Sequence, residues 1–201
     1  MKTSRDLAPA VFTVLLSLLC SIPPFPALAR ESFETGRAII NCAFPSELYL
    51  MEKRLNFFPA AQYFQKNYQA SGFPPDPVLH RLAAKVEGIM GRVSHLLNIS
   101  LKPSSKLRIF LLKDGREVRE RHLLFRPGRS TLGYNSLEAF YQPGTHSLFL
   151  SLADLHEGIL AHEMAHFLLC AGSAVPPPAE VQERLAQYAE MHLREQATRG
   201  F

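Results

Sequence analysis

The chain has 201 residues, 47% of them apolar, with 22 Lys and Arg against 18 Asp and Glu for a formal charge of +4. That balance is too mild to point to nucleic acid, and the apolar content excludes a disordered chain. No internal repeat or low-complexity segment is present.

Residues 1–29 read as a secretory signal peptide. Lys2 and Arg5 form the positive start, Val11 to Cys20 the apolar stretch, and Ala27-Leu28-Ala29 a small-x-small cleavage site. The apolar run is too short to span a bilayer, and Leu18-Leu19 before Cys20 argues against a lipoprotein cysteine. The expectation is an exported protein, periplasmic or secreted, with no stable membrane anchor after cleavage. Cleavage removes two basic residues and one acidic one, leaving a charge of +3 on 172 residues, a length suited to one domain.

After cleavage two cysteines remain, Cys42 and Cys170. An even number in an oxidising compartment leaves two arrangements open: a disulfide tying the N-terminal segment to the far end of the histidine-bearing helix described below, or two buried thiols.

Residues 30–45 carry no strong pattern. From Ser46 to about Tyr68 the apolar spacing suits one or two helices interrupted near Pro59, so residues 30–75 form an N-terminal helical segment of open role ahead of a main domain over 76–201. Asp76 and Pro77 make a helix start, and Leu79, Leu82, Val86, Ile89, Val93 and Leu96 recur at three- and four-residue intervals, predicting an amphipathic helix to about Leu97. Lys106 to Leu112 reads as a strand and Gly115 to Phe125 as a short basic helix. Leu137–Tyr141 and Ser147–Leu152 read as two strands around Pro143-Gly144.

The stretch from Asp154 to Cys170 carries the chemistry. His162-Glu163-Met164-Ala165-His166 spells H-E-x-x-H between apolar flanks. On a helix, residues four apart differ by only about 40° around the axis, so both imidazoles project to one side. They can share a metal ion while Glu163 stands beside its open position as a general base. His156, six residues before His162, turns away from that side. Asp154 with Glu157 resembles a capping box, and Gly172 sits where a left-handed residue would end the helix. A last helix is expected from after Pro178 to about Arg199. It carries Glu183 between Ala179 and Ala186, small neighbours that permit a close helix approach; a solvent-exposed Glu fits the same pattern.

The run from Ile159 to His166, followed by Pro178 and Glu183-Arg-Leu-Ala-Gln-Tyr188, resembles the small gluzincin metallopeptidases of the peptidase MA-like group. Arg184 stands where that family has Gly, and Glu180, where an aromatic residue is common, is a rival ligand. The resemblance implies an α+β, zincin-like fold: a small twisted sheet over the H-E-x-x-H helix and a C-terminal glutamate helix. It also implies one Zn2+ per chain held by His162, His166 and Glu183, with Glu163 as general base acting on a peptide or protein substrate. The Leu137–Tyr141 segment would be the edge strand that pairs with extended substrate. Tyr188 and Tyr134 are candidates to stabilise the oxyanion. A second reading keeps the zinc without catalysis, as a structural or binding protein of the cell envelope.

Overall fold

The computed structural model describes residues 31–59, 76–100, 105–125 and 137–193. The signal-peptide expectation, the helical expectation beyond Pro59, Tyr134 and the C-terminal extension to Arg199 fall outside these residues.

The fold is α+β, built on one mixed five-stranded sheet. Its strands are β1 (Glu31–Glu34), β2 (Ala38–Cys42), β3 (Leu107–Leu112), β4 (Ala139–Gln142) and β5 (Ser147–Ser151), in the spatial order β1-β2-β3-β5-β4. The central strands β2, β3 and β5 run parallel, and each edge strand is antiparallel to its neighbour. The α-helices among the described residues are α1 (Pro45–Arg54), α2 (Pro77–Leu97), α3 (Gly115–Phe125), α4 (Glu157–Gly172) and α5 (Ala179–His192).

Alternation along the strands separates two apolar layers. Ile40, Ile109, Leu148 and Tyr141 face the main core with Met51, Ile89, Met90, Met164 and Phe167 from α1, α2 and α4. Phe110, Phe149 and Phe140 face the other way and stack in a row, covered by Val118 and Phe125 of α3. The histidine-bearing helix α4 is apolar around nearly its whole circumference, which suits a helix enclosed by α2, α5 and β4 rather than one lying on a surface.

Several sequence expectations are met with small boundary changes. In α2 the Asp76 side chain accepts the Val78 N–H at 2.7 Å and Asn98 closes the helix at φ 52°. The strand at 107–112 and the helix at 115–125 are present. The hairpin turns through a 3₁₀ segment, Pro143–Thr145, ending on His146 at φ 48°.

Others need correction. Residues 31–42, patternless in sequence, form β1 and β2, and β2 pairs with β3 across more than sixty residues of chain. The segment 31–54 is therefore part of the same sheet and core. A buried carboxylate, Glu87, ties it down by accepting from Thr35 Oγ1 at 2.6 Å and the Arg37 N–H at 2.7 Å.

The expected capping box at Asp154 is absent. His156 caps α4 instead, its Nδ1 accepting the Gly158 N–H at 3.1 Å and facing that of Ile159 at 3.4 Å. Asp154 turns to the Ser151 hydroxyl, and Glu157 is buried where it accepts the Asn56 N–H. Gly172 is the last residue of α4 rather than a left-handed cap, with Ser173 following in an extended conformation. Space explains it: a Cβ at Gly172 would lie 2.4 Å from Ile99 Cγ2. Ile99 is β-branched and cannot swing aside freely. Gly172→Ala is expected to destabilise by about 1–3 kcal/mol in a urea melt; an unchanged midpoint would show that α4 and the end of α2 are not in tight contact.

The bridge between Cys42 and Cys170 is not formed, and both are free thiols. Each sulfur faces its own neighbour on a different element, Cys42 the Glu31 carbonyl at 3.8 Å and Cys170 the Gln182 Oε1 at 3.6 Å. Burial raises both thiols, Cys42 to about 11 with help from Glu47 and Glu31, so neither is a ready thiolate.

Candidate metal centre

Two helices and one edge strand build the site. α4 presents His162 and His166 on one side, their ring centroids 5.1 Å apart. α5 packs along that side, and its buried face is made of alanines: Ala186 and Ala189 are fully enclosed. The larger apolar residue Tyr188 is turned outward, 41% exposed and stacked on His192 at 4.1 Å. Because small residues occupy the contact, the two helix axes approach closely enough for a glutamate on α5 to reach the imidazoles.

Glu183 is that glutamate. Its Oε1 lies 3.6 Å from His162 Nε2 and its Oε2 3.6 Å from His166 Nε2. One ligand atom from each of His162, His166 and Glu183 falls within 4.8 Å of the others, so the group could hold a metal ion. Glu180, the rival one turn earlier, is exposed and outside this cluster. Arg184 is also exposed, directed away from the packed face.

The donor chemistry suits a cation. His166 is held below the ordinary imidazole value, chiefly by burial and then by His162, while Glu183 and Gln182 pull the other way. A depressed His is neutral at pH 7 and offers a lone pair. Two imidazole nitrogens and one carboxylate oxygen form a borderline donor set with room for further ligands.

Glu163 sits beside this group but not in it. It is buried, and burial above all, with Glu183 and Glu190 adding like charge, pushes its carboxyl up to about 8; the Tyr141 backbone N–H donates to it and opposes the rise. A cation between the histidines would favour the carboxylate form by the reverse of the Glu183 effect.

The third wall is β4. It lies on the sheet edge, where the sequence places the strand that would meet substrate. Phe140, Tyr141 and Pro143 from this strand and its turn face Ala179, Gln182 and Glu183 from α5 across a cleft of about 290 Å³. His162, Glu163 and His166 form its floor. The Tyr141 hydroxyl is not available to the cleft chemistry, since it bonds His146 Nδ1 at 2.7 Å inside the core and burial raises it far above its usual range. Tyr188, an oxyanion candidate from sequence, does not line the cleft.

One contact had no sequence signal. Glu190 Oε2 lies 3.1 Å from Nδ1 of His162, the ring nitrogen opposite the one facing Glu183. Its seven-residue offset from Glu183 places it on the same helix face two turns on, a hint visible only once Glu183 is known to face α4.

No helix among the described residues is long and apolar enough to cross a membrane. The chain matches no protein-family model, and comparisons with curated proteins and with solved structures find no match either.

Proposed function

We propose that this protein is an exported zinc metallopeptidase of gluzincin type, with a zincin-like arrangement of sheet, H-E-x-x-H helix and glutamate helix. One observation carries the reading: His162, His166 and Glu183 converge from two helices within 4.8 Å while a buried Glu163 stands next to them in a cleft. A site with only a structural task has no use for a second, non-ligating carboxylate at that place.

His162, His166 and Glu183 would hold the ion. Bound zinc supplies Lewis acidity that polarises a carbonyl and makes a water molecule acidic near neutral pH. The chain's own groups do the rest. Glu163 accepts the proton of the attacking water and passes it to the leaving amine, one carboxylate serving as base and then as acid. The Tyr141 N–H holds that carboxylate in place from the strand side. Pairing of β4 with β5 leaves the backbone groups of Ala139 and the carbonyl of Tyr141 facing outward, since the Glu138 carbonyl bonds the Ser151 N–H and alternate residues point inward, while the Tyr141 N–H is taken by Glu163. An extended peptide laid against this edge would gain affinity largely independent of its side chains.

The test is hydrolysis of a generic unfolded protein by the purified mature chain, with and without a chelator. Cleavage that stops on chelation and returns with zinc supports the assignment. Zinc uptake without cleavage would replace it by a non-catalytic envelope zinc protein, and cleavage indifferent to chelator would remove the metal from the chemistry.

A further inference from the structure

We propose that Glu190 is the positioning residue of His162, so that α5 supplies both a carboxylate facing the ion and the carboxylate that orients a histidine of α4. This rests on the metal-centre reading above and adds a residue to it.

The two carboxylates take opposite nitrogens of one ring: Glu190 Oε2 is 3.1 Å from Nδ1 and Glu183 Oε1 is 3.6 Å from Nε2. A carboxylate accepting from Nδ1–H leaves the lone pair on Nε2, the nitrogen that points into the Glu183 and His166 cluster. It also stops the imidazole from rotating about its χ2 axis. Among the described residues His166 has no such partner and is instead hydrogen-bonded by the neutral amide of Gln182 as well as by Glu183.

The neighbouring residues leave room for this contact. Gly158 lies one turn before His162 on the same side of α4. A Cβ there would come within 3.3 Å of Glu190 Cγ and 3.0 Å of the His156 ring, so the glycine leaves the path the Glu190 stem follows. Ala186 and Ala189 bring the helices together beside that path. The Glu190 side chain remains 38% exposed, so a simple surface ion pair with a protonated His162 is the competing description, and it predicts no influence on the metal.

Zinc affinity separates the two. It is measured by competition with a chromophoric chelator on the mature chain carrying Glu190→Ala or Glu190→Gln, beside the wild type. The thermal midpoint of each metal-free protein serves as the folding control. Glu190→Ala is expected to weaken zinc binding by roughly 10–100-fold, with Glu190→Gln in between because its amide oxygen still accepts from Nδ1. The metal-free midpoints should stay together. In the zinc-loaded wild type, nitrogen NMR should show the His162 proton on Nδ1, with that signal broadened or shifted in Glu190→Ala. Wild-type zinc affinity in Glu190→Ala overturns the positioning role and leaves the metal centre standing. Failure of the wild type itself to take up zinc removes both.

Discussion

Glu163→Gln is expected to retain zinc at the wild-type stoichiometry and to lose peptide hydrolysis by about 10²–10⁴-fold, the usual worth of a positioned general base. The substitution is nearly isosteric, so the cleft keeps its shape, and Gln cannot accept the proton of the attacking water at neutral pH. The three groups that would hold the ion are untouched. A Glu163→Gln protein that hydrolyses as fast as the wild type would show that another group is the base.

The same variant carries a signature in the metal-free protein. Burial raises Glu163 from 4.5 to about 8, so between those pH values the folded state binds a proton that the unfolded state has released. Its contribution to stability is therefore fully present below about pH 4.5 and is lost as pH rises through about 8. Gln holds no titrating proton, so in the presence of chelator Glu163→Gln should be the more stable protein at pH 8, by on the order of a few kcal/mol. The advantage should shrink on acidification toward pH 5.

Phe167→Ala is expected to destabilise the fold by about 3–5 kcal/mol in chemical denaturation. Phe167 is fully buried, meeting Tyr141 edge-on at 6.1 Å between centroids and His146 at 5.5 Å. It follows His166 directly, so the ring that seats α4 on β4 is covalently next to a proposed ligand. Against a total stability of about 5–15 kcal/mol for a domain, such a loss removes a large share. Because the truncation frees α4 from the edge strand, zinc affinity should fall along with stability. A loss under about 1 kcal/mol would mean that the contact between α4 and β4 is not a principal part of the core.

Local pattern made some elements readable and hid others. In α2 a cap, a proline and a long apolar repeat agree, and the helix runs between the expected residues. β2 is only five residues long, and besides its neighbour β1 it pairs with β3, a partner remote in sequence that leaves no local mark. At the start of α4, Asp154 and His156 both stand near the first turn. Preference favours Asp, but the Ser151 hydroxyl engages Asp154 and the helix begins two residues later on an imidazole cap.

The site divides in the same way. H-E-x-x-H lies within one helical turn and its geometry follows from helix pitch alone. Whether Glu183 faces α4 depends on which stripe of α5 is packed, and the sequence leaves both a packed and a solvent-exposed Glu183 open. The helix buries its alanines, which sets Glu183 and Glu190 beside the histidines of α4. Glu190 and Gln182 act on the histidines from a second helix, a relation no spacing rule for one segment can supply.

The convergence of His162, His166 and Glu183 on one ion is tested most directly by the metal content of the purified protein beside its Glu183→Ala variant, both exposed to zinc and then dialysed against a weak chelator. One zinc per wild-type chain and a small fraction of that in Glu183→Ala is the predicted result. Equal zinc in the two proteins, or none in the wild type, would contradict it.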